Sequence, residues 1–206
     1  MSFGLLTVND DGVNLIDQDF KSMCVVASGS ATTNEAGTPV RKSLSYAGVN
    51  PMLAVDSHGV EFGIVEQGCS GGTFYWTVAR ADGSSTAAPF DYWIFDDVPA
   101  ITPSGYGMAV WNSAGQLVFD SNHKYLRPGP APAGGVNAVI TCNGAIRVVS
   151  IDLGGSWSND KHLNTFWVDG SGVLHTSHRL YSSGTAGSDV GYVPNTVFMQ
   201  VDVTNY

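Results

Sequence analysis

Carboxylates, imidazoles and thiols are the groups in this 206-residue chain with reach for acid–base, metal or nucleophilic chemistry, so their spacing comes first. His175-Thr176-Ser177-His178 invites a metal reading, but strand residues three apart point to opposite faces and no cysteine or carboxylate cluster flanks the pair. Asp96-Asp97 follows an aromatic run and precedes Val98-Pro99, which reads as a turn cap rather than a calcium or glycosidase pair. Asn9-Asp10-Asp11-Gly12 lacks the later acidic ligand of a calcium loop. Cys69 lies in Gly68-Cys69-Ser70-Gly71-Gly72, read as a loop, with no histidine partner close in sequence. Phosphate loops, nucleophile elbows and His-Glu-x-x-His are all missing. No catalytic residue, metal site or cofactor is expected. A polysaccharide-degrading enzyme with an unrecognised carboxylate pair stands as a distant alternative.

Aromatic side chains offer a second chemistry, stacking on the apolar faces of sugars. Trp76, Trp93, Trp111 and Trp167 fall in or beside strand-like runs, where core packing is the default. Trp157 differs because Gly154-Gly155-Ser156 and Ser158-Asn159-Asp160 surround it with polar residues. A ligand-contacting tryptophan is therefore expected at Trp157, with Asp160 and His162 as polar companions.

The elements that must carry these residues are strands. Candidates occur at 3–8, 13–17, 22–27, 60–65, 73–79, 91–95, 107–111, 116–119, 136–141, 146–152, 165–168, 172–175 and 197–203. They are short, β-branched or aromatic, and bounded by turn residues, whereas no window sustains a helical period. Asn143-Gly144, Asp82-Gly83 and Asp169-Gly170 read as tight hairpin turns. Many short strands at this spacing mean an all-β sandwich or barrel. Two polar segments, 154–161 and 181–195, read as long loops, and 127–135, with three prolines, as a semi-rigid connector or projecting arm.

Nine cations against 18 carboxylates leave a net charge of −9, and charged residues make up only 13% of the chain. So few scattered cations cannot track a phosphate backbone, which argues against nucleic-acid binding. No apolar run approaches the roughly 20 residues of a membrane helix, and the N-terminal stretch lacks the basic and apolar regions of a signal peptide. Three cysteines far apart do not make a disulfide framework. Free thiols, with Cys24 and Cys142 in apolar runs, fit synthesis in a reducing cytosol.

An internal repeat is the strongest signal. Residues 3–17 align without gaps on 106–120, an offset of 103, matching Asn9 to Asn112, Gly12 to Gly115 and Asp17 to Asp120. Each copy is an apolar strand, Asn-x-x-Gly, and a second apolar strand ending in Asp. Asn binds its own backbone at the first turn position, and Gly supplies the left-handed residue that closes the turn into a bulge. The expected organisation is two β-sandwich-like modules, 1–102 and 103–206, joined by the Pro/Gly-bearing segment 99–105.

Ser104-Gly105-Tyr106-Gly107-Met108-Ala109-Val110-Trp111-Asn112-Ser113-Ala114-Gly115-Gln116-Leu117-Val118-Phe119-Asp120-Ser121, followed by Lys124-Tyr125-Leu126, resembles a phrase of tail-tip and baseplate proteins of long-tailed bacteriophages. The opening Met1-Ser2-Phe3-Gly4-Leu5 and the aromatic run Asp91-Tyr92-Trp93-Ile94-Phe95-Asp96 are similar to segments of the same proteins. The resemblance covers about a third of the chain. It implies a minor virion tail component, made in the bacterial cytoplasm, that docks to other tail proteins as a homo-oligomer or symmetric ring. The alternative it leaves open is a tail protein that binds a host glycan or surface protein. It carries no catalytic residues. Segments 127–135, 154–162 and 181–195 are the expected partner surfaces, with neither nucleic acid nor membrane insertion involved.

Overall fold

The computed structural model describes residues 6–8, 14–17, 22–36, 39–97, 106–142, 146–152, 157–185 and 197–206. At 6–8, 14–17, 142, 146–152, 157–162 and 178–185 it describes strand pairing alone. The described residues contain strands and turns but no helix: β1 (Leu6–Val8), β2 (Asn14–Asp17), β3 (Met23–Thr32), β4 (Arg41–Ala47), β5 (Met52–Asp56), β6 (Phe62–Ser70), β7 (Thr73–Arg80), β8 (Pro89–Asp97), β9 (Ala109–Trp111), β10 (Leu117–Asp120), β11 (Asn137–Cys142), β12 (Ile146–Asp152), β13 (Trp157–Val168), β14 (Leu174–Thr185) and β15 (Val197–Asp202). One antiparallel sheet has the order β15-β11-β5-β8-β3. The second runs β14-β13-β6-β7-β4, with β12 paired along the first half of β13. The all-β, sandwich-like expectation holds.

The core follows from the strand sequences. Leu53, Val55, Phe90, Ile94 and Val139 of the first sheet meet Phe62, Ile64, Trp76, Val78 and Phe166 of the second between the sheets. Alternate residues of the same strands (Ala54, Trp93, Phe95, Ala138, Ile140) are buried as well, on the opposite face with Val201 and Val203. A sheet covered on both faces requires near-continuous apolar runs such as Met52-Leu53-Ala54-Val55.

Segment 124–129 explains the second layer. Val25 N–H donates to Lys124 O (2.8 Å) and Leu126 N–H to Met23 O (3.0 Å), with Cys24 opposite Tyr125. Three residues on, Asp202 N–H donates to Arg127 O (3.0 Å) and Gly129 N–H to Gln200 O (2.8 Å), with Pro128 opposite Val201. The two outer strands, β3 and β15, thus share one neighbour, and the hydrogen-bond ladder closes round the inner apolar layer. Leu126 and Tyr206 pack into that layer. Arg127 lies 4.5 Å from the centre of the Tyr206 ring, and Tyr206 donates its hydroxyl to Tyr125 O.

Several expectations change. Strands from both sides of 102/103 alternate within the sheets: β11 pairs β5, and β13 pairs β6. The halves therefore share one core rather than forming two sandwiches, and residues 99–105 lie outside the described residues. Asn143-Gly144, expected as a hairpin turn, lies outside the described residues; the strands on either side, β11 and β12, belong to different sheets and do not pair. The proline-rich 127–135 segment is no projecting arm, because its first residues lie along β15. The polar stretches 154–161 and 181–195 are not simply loops: 157–161 belongs to β13 and 181–185 to β14, paired from Ser158↔Thr185 onward. Polar strands of this kind carry no apolar alternation to announce them. Cys69 sits within β6, opposite Phe74, and Gly71-Gly72 makes the turn.

The repeat survives at the level of the hairpin. Leu6↔Asp17, Thr7↔Ile16 and Val8↔Asn14 correspond under the 103-residue offset to Ala109↔Asp120, Val110↔Phe119 and Trp111↔Leu117, and both ladders shift register at the same place. In the second copy Asn112 Oδ1 accepts N–H groups from Ala114 (3.0 Å) and Gln116 (2.9 Å), and Gly115 takes φ +74°. The two repeats also meet: Met23 and Leu126, equivalent by the same offset, are the pair hydrogen-bonded at the closure.

Asp96, next to last in β8, caps the neighbouring turn. Its buried carboxylate accepts N–H groups from Val49 (2.9 Å), Asn50 (2.9 Å) and Asp97 (2.8 Å), fixing the turn between β4 and β5. Gly48 permits this approach, since a Cβ there would lie 2.1 Å from Asp96 Oδ2. Removing the acceptor orphans three donors at once, so Asp96→Ala should lower unfolding free energy by about 2–4 kcal/mol in urea denaturation. Gly48→Ala should act in the same direction by displacing the carboxylate. Wild-type stability in both variants would refute this role for the cap.

Candidate functional site

At one end of the sandwich, the β5–β6 turn, the β13–β14 turn and the entry to β11 surround a cleft of about 290 Å³. Asp56, His58, Asn137 and Asp169 supply its polar lining; Val136 and Val168 supply apolar wall. Its frame is held by hydrogen bonds. Ser57 Oγ accepts Val168 N–H (3.2 Å), and Gln200 Nε2 donates to both Asn137 Oδ1 (2.7 Å) and Gly172 O (2.7 Å).

His58 occupies an unusual backbone position. Its φ is +49° and that of Gly59 is +77°, while Val60 N–H donates to Ser57 O (2.8 Å). Positive φ at both central positions defines a type I′ hairpin turn, where Asn or Gly is the ordinary occupant and a larger residue is strained. The turn aims the imidazole at two carboxylates: Nε2 lies 3.0 Å from Asp91 Oδ2 and 3.5 Å from Asp56 Oδ2. Asp56 and Asp91 are directly opposed in the β5–β8 register, an arrangement of like charges that destabilises a sheet unless a cation intervenes. Burial is the main cause of a raised pKa at Asp56; the His58 N–H and imidazole pull the other way, and Asp91 adds to the rise. Together Asp56, His58 and Asp91 present three ligand atoms within 4.8 Å of one another.

Across the cleft, Asp169 organises the β13–β14 turn. Oδ1 accepts from Ser171 N–H (2.9 Å), Ser171 Oγ (2.6 Å) and Val173 N–H (3.1 Å), while Oδ2 meets His175 Nε2 at 2.7 Å. His175 also stacks on Trp167, with ring centres 4.9 Å apart. It is thus both hydrogen-bonded and stacked, while the His178 side chain lies outside the described residues.

Trp157, Asp160 and His162, the expected ligand contacts, lie in β13 rather than in a loop. They stand opposite Asp152, Val149 and Arg147 of β12, and their side chains are outside the described residues. Trp76 and Trp93 are buried as core residues, whereas Trp111 is 50% exposed. Cys24 is a free, buried thiol whose pKa is pushed up to about 11, first by burial and then by the charges of Asp96 and Asp97. Cys69 is free and exposed. Sequence reading missed the Asp56–His58–Asp91 set because Asp91 lies 33 residues from His58, and only strand register brings them together.

The His175 contact, followed by those of Ser171 and Val173, holds the Asp169 carboxyl well below its usual range. A lowered folded-state value stabilises the protein above the ordinary carboxylate range and loses that contribution as pH falls through the lowered value. Carboxyl NMR titration should find Asp169 below free aspartate, with His175→Gln raising it toward the ordinary value; an unchanged midpoint would exclude His175 as the main cause. The chain matches no family model, no curated protein and no solved structure.

Proposed function

We propose that this protein is a non-enzymatic structural component of a bacteriophage tail tip or baseplate, docking to other tail proteins near the host-contacting end. The observation that carries this reading is the state of the phrase that resembles such proteins. Its hairpin is anchored on one side: Leu117 packs against Cys24, Val118 is buried, and Ser22 N–H donates to Val118 O (3.2 Å). Within the same short stretch Tyr106, Met108 and Trp111 are all exposed. Large aromatic and thioether side chains held on a fixed hairpin are what protein interfaces favour. A homo-oligomer or ring of copies in the virion tail would suit the rotational symmetry of a tail.

A host-receptor role is the second reading, favoured by the cleft at the other turns. Its carboxylate, imidazole and amide groups suit the hydroxyls of a surface glycan, with Val136 exposed at the wall. Binding to a glycan array, and blocking of adsorption by the purified protein, would support that role.

The docking reading is tested by Met108→Ser/Trp111→Ser supplied in trans to phage lacking the gene. Exposed substitutions should leave the melting temperature nearly unchanged, while incorporation into tails falls by about tenfold or more. Full incorporation of the double variant would overturn docking through this hairpin. Particles with complete tails that lack the protein and cannot adsorb would favour receptor binding.

A further inference from the structure

We propose that Asp56, His58 and Asp91 bind a divalent first-row transition-metal ion, with zinc the best-suited probe. The inference is independent of the docking hairpin.

The distances already approximate a coordination shell. Ligand atoms about 2.0–2.1 Å from a tetrahedral zinc lie roughly 3.3 Å from one another. His58 Nε2 stands 3.0 Å from Asp91 Oδ2 and 3.5 Å from Asp56 Oδ2, so two edges of such a shell are in place. The third, between the carboxylates, falls within 4.8 Å.

Each carboxylate is oriented by a separate donor. Ser30 Oγ donates to Asp91 Oδ1, and His58 N–H donates to Asp56 Oδ1 (3.0 Å). Both Oδ2 atoms are thereby turned toward the imidazole. Donors that fix the non-coordinating oxygen are a regular feature of metal sites and set the direction of the other.

Charge and donor type narrow the ion. The β5–β8 register places two carboxylates face to face, and a proton on His58 would neutralise only one of them. A dication neutralises both. Calcium and magnesium take oxygen ligands almost exclusively, whereas one imidazole with two carboxylates suits zinc and its first-row neighbours. Three protein ligands leave a coordination position for water or a ligand, and Asp56 and His58 line the cleft from which it would enter.

The test uses the untagged, chelator-treated full chain, titrated with zinc chloride by calorimetry and followed by thermal unfolding. One ion per chain should bind and raise the melting temperature. His58→Gln and Asp91→Asn should each weaken binding by about a hundredfold or more, and His175→Gln should not. Asp91→Asn removes one of two opposed charges, so its metal-free melting temperature should hold or rise, separating loss of the site from loss of the fold. Absence of binding by the wild type, equal binding by the His58 and Asp91 variants, or dependence on His175 instead of His58 would overturn the proposal. Preference for calcium or magnesium over zinc would overturn the choice of ion.

Discussion

Closure of the β15-β11-β5-β8-β3 sheet by residues 124–129 is the constraint on which the other features depend. Four backbone hydrogen bonds tie this segment to β3 on one side and to β15 on the other. They create an enclosed second apolar layer, in which Phe95, Ala138 and Val201 lose all or nearly all contact with water. Burying a large apolar side chain is worth about 1.5–3 kcal/mol, so this layer matters as much as the one between the sheets. Pro128 suits its place because Arg127 and Gly129 on either side make the bonds to β15, so the nitrogen between them points away from that strand and need not donate to it. Arg127 reinforces the arrangement, donating to Thr204 O (2.6 Å) while its guanidinium covers Tyr206.

The same closure separates the molecule's two chemically distinct ends. The hairpin of β9 and β10 is held where the segment meets β3, with Leu117 against Cys24 and Phe119 stacked on Tyr125 at 4.7 Å. The cleft lies where β11 begins and β5 ends, and Gln200 of β15 holds its wall. Tyr106, Met108 and Trp111 are exposed in the first region, and Asp56, His58 and Asp169 line the second. The first is shaped by its local Asn112–Gly115 turn, whereas the second owes its geometry to strand register.

That dependence explains what the sequence made legible. Asn112 and Gly115 could be read correctly because the turn they form is chemically self-contained: a carboxamide bonding its own backbone and a residue free to take positive φ. The 103-residue offset emerged for the same reason, since hairpin register travels with its turn. Strands β4 and β5 escaped notice because Arg41–Ala47 is largely polar and Met52–Asp56 is apolar on both faces, so neither shows a clean period of two. The path of 127–129 along β15 was hidden because an extended proline-rich segment looks alike whether solvated or paired. Asp56, His58 and Asp91 illustrate the general limit: two are neighbours in sequence, and the third arrives only through the β5–β8 ladder.

Unpaired backbone at the rim of a sheet invites another chain to add a strand. On the first sheet one stretch of the polypeptide, residues 124–129, takes up part of both margins, along Met23–Val25 of β3 and Gln200–Asp202 of β15. On the second sheet, Glu35 shields the start of β4: its backbone pairs with Arg41, and its carboxylate takes the Ser43 N–H (3.0 Å) and the Lys42 ammonium (3.0 Å). At these two stretches an added strand would find its main-chain positions taken, so another chain meeting them has to engage side chains.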